Sequence, residues 1–375
     1  MKHLKWMTQV LLLVLLSSCA TQSTAGIKLL PGVTYYKGFE TLTGKLLFLL
    51  SASSEEDRNE VGRGAIYELD LSEHTLRKVA DSPSGILSTS RDGNLTCVVC
   101  WLGSWRNDNN TNVFIYSLPM RRARNLSLES TPKATVIIDD HVFFQIENSA
   151  LDKHTTAVRL VEYSVTSDEK RLVELPGASR WQYETYDMIH APTEHTNVLH
   201  FHNVCSGNRL EIGRDYQTGV YSLDVCTGDI KRSFDLAKDE DDGTREFKTF
   251  EGNRIYFVGA QGPDEGVKLV MSPWDEYSAK RRDPRGEKSK VLHYFPKSPL
   301  SKGGSFVLNT ISPDGHFALV VLTMPARRAS GMLPGSTRIY YLVDSSNGHT
   351  RVLLKDDVDL ETGGSMSPVH WIQGR

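Results

Sequence analysis

The tetrapeptide Ser312-Pro313-Asp314-Gly315 separates two apolar runs, and it restricts the fold more than any other stretch. Pro313 fixes its own φ and pushes Ser312 toward extended geometry. Asp314 can accept hydrogen bonds from the backbone ahead of it, and Gly315 supplies the positive φ that closes a tight hairpin. Within 307–354 a strand enters this turn and a second, 316–322, leaves it. Two more follow at 338–343 and 350–354, joined by a turn at 345–348. Val320, Val321, Ile339, Tyr340 and Tyr341 are β-branched or aromatic and suit a pleated, buried surface. Pro and Gly recur too often for a helix, and no 3.6-residue stripe survives. Four short strands in about forty residues make one antiparallel sheet, the size of a propeller blade.

One copy would serve equally in a β-sandwich; repetition separates the two. Comparable units span 45–80, 85–128, 134–175, 183–234 and 246–295. The second carries Ser90-Arg91-Asp92-Gly93, a degraded copy of the turn, and the fourth a turn at 226–229. The expectation is an all-β chain, a β-propeller of six four-stranded antiparallel blades. The strand-like end of the chain, 365–372, then completes the first blade, so that no sheet edge stays open. The alternative is seven blades, with 365–372 starting a blade that 33–39 finishes.

The Ser-Pro-Asp-Gly turn, followed by an apolar strand and an aromatic Ile-Tyr strand, resembles the repeat of TolB-type propellers. It is similar also to the propeller repeats of dipeptidyl-peptidase-like and oligogalacturonate-lyase-like proteins. The resemblance implies a fold far more than an activity.

Residues 1–18 read as a targeting segment. Lys2, His3 and Lys5 precede an apolar run at 10–16, which is too short for a permanent membrane helix. Leu16-Ser17-Ser18-Cys19 resembles a bacterial lipobox, which implies cleavage before Cys19 and lipidation of its sulfur. Ala20 after the cysteine implies outer-membrane sorting by the same resemblance. Residues 19–40 form the lipidated cysteine and flexible tether, and 41–375 the propeller. With 43 basic against 46 acidic residues and a formal charge of −3, the chain lacks the basic excess that nucleic-acid binding demands.

Four cysteines remain besides Cys19. Cys97 and Cys100 sit three apart inside one strand, hence on opposite faces, and read as small buried apolar side chains rather than a metal or disulfide pair. Cys205 and Cys226 end neighbouring strands of the fourth unit and are candidates for a disulfide. In the same unit His200 and His202 share a strand face, with His190 on the preceding strand. Imidazoles so placed suit a divalent metal, Mn²⁺ or Zn²⁺; a polar hydrogen-bond network between blades is the structural alternative. The Pro192-Thr193 turn leading to an apolar strand that ends in His202 resembles oligogalacturonate-lyase-like propellers. That resemblance implies metal binding at His202 and elimination across a uronate ring. Arg281, Arg282, Arg285 and Lys288 make a basic loop able to meet an anionic glycan or lipid headgroup. No G-x-S-x-G elbow occurs.

Together these features point to a membrane-anchored, extracytoplasmic propeller that binds a protein or glycan partner as an assembly module. The alternative is a metal-dependent polysaccharide lyase.

Overall fold

The computed structural model describes residues 26–38, 42–51, 64–81, 85–90, 95–101, 111–117, 122–126, 132, 134–148, 157–173, 184–185, 189–190, 197–205, 219–235, 247–250, 253–258, 266–273, 289–300, 302–326, 335–366 and 369–373. Cys19 and the basic loop of Arg281, Arg282, Arg285 and Lys288 lie outside them. The leading turn is held as its residue types demand. Gly315 has φ 71°. Ser312 Oγ donates to Asp314 Oδ1 at 2.6 Å and accepts from the Phe317 amide at 2.9 Å, while Asp314 Oδ1 takes the His316 amide at 3.0 Å.

The described strands form six antiparallel sheets, in which hairpins carry the chain from one strand to the next. The third sheet shows the plan: Ala134–Ile138, His141–Asn148, Ala157–Ser164 and Glu169–Leu172 lie side by side in chain order. The first strands of the sheets meet one another. Gly85–Thr89 touches both Ala134–Ile138 and His370–Ile372, Ala134–Ile138 touches Ile189–His190, and Ser305–Ile311 touches Phe247–Phe250 and His370–Ile372. Inner strands gathered round one axis, each leading outward through its own sheet, are the arrangement of a β-propeller.

Both faces of the first, second, third and sixth sheets are covered, which explains why their central strands are apolar without alternation. Leu46 and Phe48 pack toward the sixth sheet, whereas Leu47 and Leu49 pack toward the second. Likewise Phe143 enters the layer shared with the fourth sheet and Phe144 the layer shared with the second. Burying each such side chain contributes about 1.5–3 kcal/mol. The core is therefore a set of layers between sheets, which lets a long chain avoid one oversized core.

Both chain ends close the ring. Ser365–Met366 and His370–Ile372 pair with the inner edge of Lys45–Ser51, in the register Met366↔Leu50 and Trp371↔Leu46. Trp371 stacks on Phe317 of the sixth sheet and donates from Nε1 to the Thr43 carbonyl at 3.0 Å. Gly44, at φ 88°, admits this strand: a Cβ there would lie 2.4 Å from the Ile372 carbonyl oxygen.

Three expectations are corrected. The sheets hold four, five or six strands rather than a uniform four. A seventh unit joining 365–372 to 33–39 does not form, because Val33–Tyr35 pairs with Thr350–Asp356 on the outer edge of the sixth sheet. The tether drawn over 19–40 is too long. Ile27–Leu30 and Val33–Tyr35 form a hairpin of that sheet, with Val33 and Tyr35 buried in the layer between the sixth and first sheets.

Candidate functional site

The two ends of the sheets differ. At one end the amide just after the third strand bonds the carbonyl of the residue just before the second strand. This bond recurs as Leu71 to Gly44, Val165 to Asp140, Val225 to Asn197 and Ser345 to His316. The connections of second to third strands, 52–63, 102–110, 149–156, 206–218, 259–265 and 327–334, leave from the opposite end.

At the short-turn end one position repeats in all six sheets. The outer strand carries a basic residue two steps in from the third-to-fourth turn. Register pairs Arg77 with Glu68, Arg124 with Ile115, Arg171 with Glu162, Lys231 with Ser222, Lys290 with Met271 and Arg351 with Leu342. Two of these side chains tie their sheet to the next. Arg124 Nη1 donates to Tyr163 Oη and to the Val165 carbonyl, both at 3.0 Å. Lys290 Nζ donates to the Ser345 and Ser346 carbonyls at 3.0 and 2.6 Å, and His293 Nδ1 reaches the Gly348 carbonyl beside them.

Two others turn back onto a buried carboxylate of their own sheet. Arg77 Nε lies 2.8 Å from Glu68 Oε1, with Lys45 Nζ at 3.0 Å. Arg171 Nε lies 2.5 Å from Glu162 Oε2, and His141 Nδ1 is 2.7 Å from Glu162 Oε1. His141 Nε2 also faces Asp140 at 3.2 Å. Glu162 is 3% exposed, so its charge is sustained by these partners on both oxygens. Between this clamp and the turn at Cys226 and Thr227 of the fourth sheet lies a cavity of about 570 Å³, also lined by Lys170.

The histidines fall on the fourth sheet. His190 on Ile189–His190 is the direct register partner of His200 on Val198–Cys205, and His202 follows two residues later. Direct antiparallel partners have Cβ atoms about 4.5–5.5 Å apart, and residues two apart share a face. The backbone thus places all three positions on one face of the fourth sheet. Among the described side chains no group of three His, Cys, Asp or Glu residues gathers round a metal position.

The disulfide expectation is corrected. Cys226 is a free, exposed thiol. It follows Val225, whose amide bonds Asn197 at the start of the strand that ends in Cys205. At about 3.3 Å per residue the two cysteines stand roughly 25 Å apart, far beyond disulfide reach. Cys97 and Cys100 lie on one strand, Leu95–Trp101, opposite Ile115 and Asn112. The sequence reading missed the basic position and the Glu162 clamp, although a signal existed. In five sheets the basic residue lies seven places after the Asp or Ser that opens the turn: Asp70, Ser117, Ser164, Asp224 and Asp344.

No protein-family profile and no curated protein sequence matches the chain. Solved structures share its fold. Hydrazine synthase of Kuenenia stuttgartiensis aligns with a TM-score of 0.53 at 13% identity, over 88% of this chain and 47% of that one. TolB from Acinetobacter baumannii aligns at 0.49 with 10% identity, over 88% of this chain and 67% of that one. An oligogalacturonate lyase in complex with manganese aligns at 0.40 with 11% identity, over 83% and 73%.

Proposed function

We propose that the chain is a lipid-anchored, extracytoplasmic propeller, with each of its six sheets as one blade, that binds a protein or glycan partner as an assembly module. The observation that carries this reading is the asymmetry of the ring. Six second-to-third connections leave one end, while the other end holds mostly short turns, the 274–288 connection of the fifth sheet being the long exception. A rigid ring that holds many loops together presents a broad surface at low ordering cost. Anchoring rests on Cys19 and on the placement of Ile27–Leu30 at the outer rim, a few residues after it.

Two measurements test the reading. Cys19→Ala is expected to abolish palmitate incorporation and to move the protein from the membrane to the soluble fraction; retention in the membrane would sink the anchor. Photo-crosslinking residues placed in 206–218 and 327–334 are expected to capture a partner, while the same probe at Ser167 and Ser346 does not. Equal capture at both ends would refute the assignment of the binding face.

A second reading, metal-dependent elimination on a polyuronate, is favoured by the register of His190 opposite His200 with His202 beside them. Three imidazoles are a donor set that Mn²⁺ or Zn²⁺ accepts, and the ion would polarise a uronate carboxylate. Elemental analysis after Mn²⁺ or Zn²⁺ loading, compared with His202→Ala, decides it. Absence of bound metal, or of unsaturated products from polyuronates, retires the enzyme.

A further inference from the structure

The layer between the fourth and fifth sheets departs from its neighbours. Among the described residues a buried apolar cluster fills each of the other five layers, and none fills this one. Nor does any described strand of the fourth sheet pack as closely on one of the fifth as strands of the other adjoining sheets pack on each other.

The polarity is set by both walls. Leu199 and Leu223 pack toward the third sheet, so His200 and His202 hold positions on the face turned to the fifth, with His190 opposite His200. The third residue of the second strand is His200 here, but Leu47, Phe143, Ile255 and Leu319 in four of the other sheets, each fully buried. On the fifth sheet Ile255 and Leu269 pack toward the sixth, so Arg254 and Tyr256 hold positions on the face turned to the fourth. The second residue of that strand is Arg254, where four other sheets have the fully buried Leu46, Val142, Leu199 and Ala318. Core positions on two facing walls are thus polar together, at a cost in burial that a fold alone gives no reason to bear.

The charges on these two faces do not balance. Their strand positions carry the cations Lys231, Arg254 and Lys268 beside the three histidines. The carboxylate among them, Asp224, already accepts the Cys226 and Thr227 amides in its own turn. A guanidinium at a core position calls for an anionic partner, and its planar edge suits a carboxylate or phosphate. Ser272, the register partner of Arg254, is 2% exposed and donates to Tyr256 Oη at 3.4 Å, which sets two hydroxyls beside that position. On the same face of the outer strand Val291 and Tyr294 are 47% and 48% exposed, so the layer opens at its outer rim.

We propose that this layer binds a small anion bearing a carboxylate or phosphate group, seated on Arg254 between the fourth and fifth sheets. It shares its histidines with the metal reading but requires neither a metal nor the lipid anchor, so it stands or falls apart from both.

The full chain, stripped with EDTA, is titrated with inorganic phosphate, citrate, or sodium chloride at matched ionic strength, and calorimetry reads both binding and the melting temperature. Phosphate or citrate is expected to bind saturably and to raise the melting temperature, and the tighter of the two identifies the preferred group. Chloride is expected to do neither. Arg254→Met is expected to weaken binding about tenfold or more, the share of a charge-assisted bond. Its anion-free melting temperature is expected to hold or rise, since an apolar side chain returns to a core position. Arg254→Lys keeps the charge without the paired edge, guards against misfolding of the first variant, and is expected to weaken binding several-fold. A lower anion-free melting temperature in Arg254→Met with binding intact would make the layer a structural polar network and overturn the proposal. Equal effects of chloride, no binding of either anion, or undiminished binding in both variants would do the same. Binding that arises only after Mn²⁺ or Zn²⁺ is added would also overturn it, because the ion and not Arg254 would then be the seat.

Discussion

At the scale of single residues, the buried carboxylates set the energetics of the short-turn end. Glu162 is sequestered, whereas the side chain of its partner Arg171 is 56% exposed. Removing the carboxylate therefore frees a guanidinium that water can solvate, while removing the guanidinium strands a buried charge on His141 alone. Glu162→Gln is expected to cost about 1 kcal/mol and Arg171→Ala about 2–3 kcal/mol. Urea unfolding of the two variants checks the order, and the reverse order would contradict the clamp. Asp344 supplies a pH dependence. Partial burial raises its pKa, but hydrogen bonds from Ser346 and Asn347 outweigh this and hold it below the ordinary carboxylate value. Its stabilisation is thus complete above the unfolded pKa of about 3.9 and is lost as pH falls through the lower folded value. Asp344→Asn is expected to flatten the acid limb of the midpoint-against-pH curve and leave the slope near neutrality unchanged. What the sequence disclosed at this scale was local chemistry: the Ser312–Asp314–Gly315 cage follows from residue types alone. The Glu162 clamp is set by register between strands nine residues apart, which the sequence displays only once the strands are aligned.

At the scale of strands, the chain ends matter most. The apolar run Leu46–Leu50 is legible as a buried strand because both its faces pack, and the placement of 365–372 on its edge follows from the need to cover it. The opening hairpin was less legible. Leu30-Pro31-Gly32-Val33 carries a turn signal, yet its strands are only four and three residues long. So short a pair gains its stability from the sheet it joins rather than from itself. The closing strand is testable through Trp371, which is 7% exposed, stacks on Phe317 and bonds Thr43. Trp371→Ala is expected to cost about 3–5 kcal/mol, with faster hydrogen exchange in 45–51. Trp371→Phe restores the stacking without the hydrogen bond and is expected to recover most of that loss. Equal loss in both variants would mean that the indole N–H, not the stack, secures the ring.

At the scale of the molecule, the repeated basic position ties sheet to sheet where it crosses a layer and grips a buried carboxylate of its own sheet where it is diverted. The Lys290 contact sets two carbonyl oxygens on one ammonium, backed by His293 on the same turn. In an open stack of repeats, loosening one tie would let the terminal sheets unfold separately. Here the sixth sheet is held on both sides. The fifth sheet grips it through Lys290, and the first through the shared layer of Tyr35, Leu46, Leu353 and Trp371. Lys290→Met keeps most of the apolar stem and removes both charge-assisted bonds. It is expected to lower global stability by about 1–2 kcal/mol, partly offset because the lysine is exposed and its ammonium regains water. The decisive quantity is the denaturant slope. A ring closed at both chain ends unfolds as one unit, so the midpoint is expected to fall while the slope stays constant. A shallower slope, or a separate early transition reported by Trp371 fluorescence, would show that the sixth sheet detaches alone and that closure at the first sheet does not bind the molecule into one cooperative body.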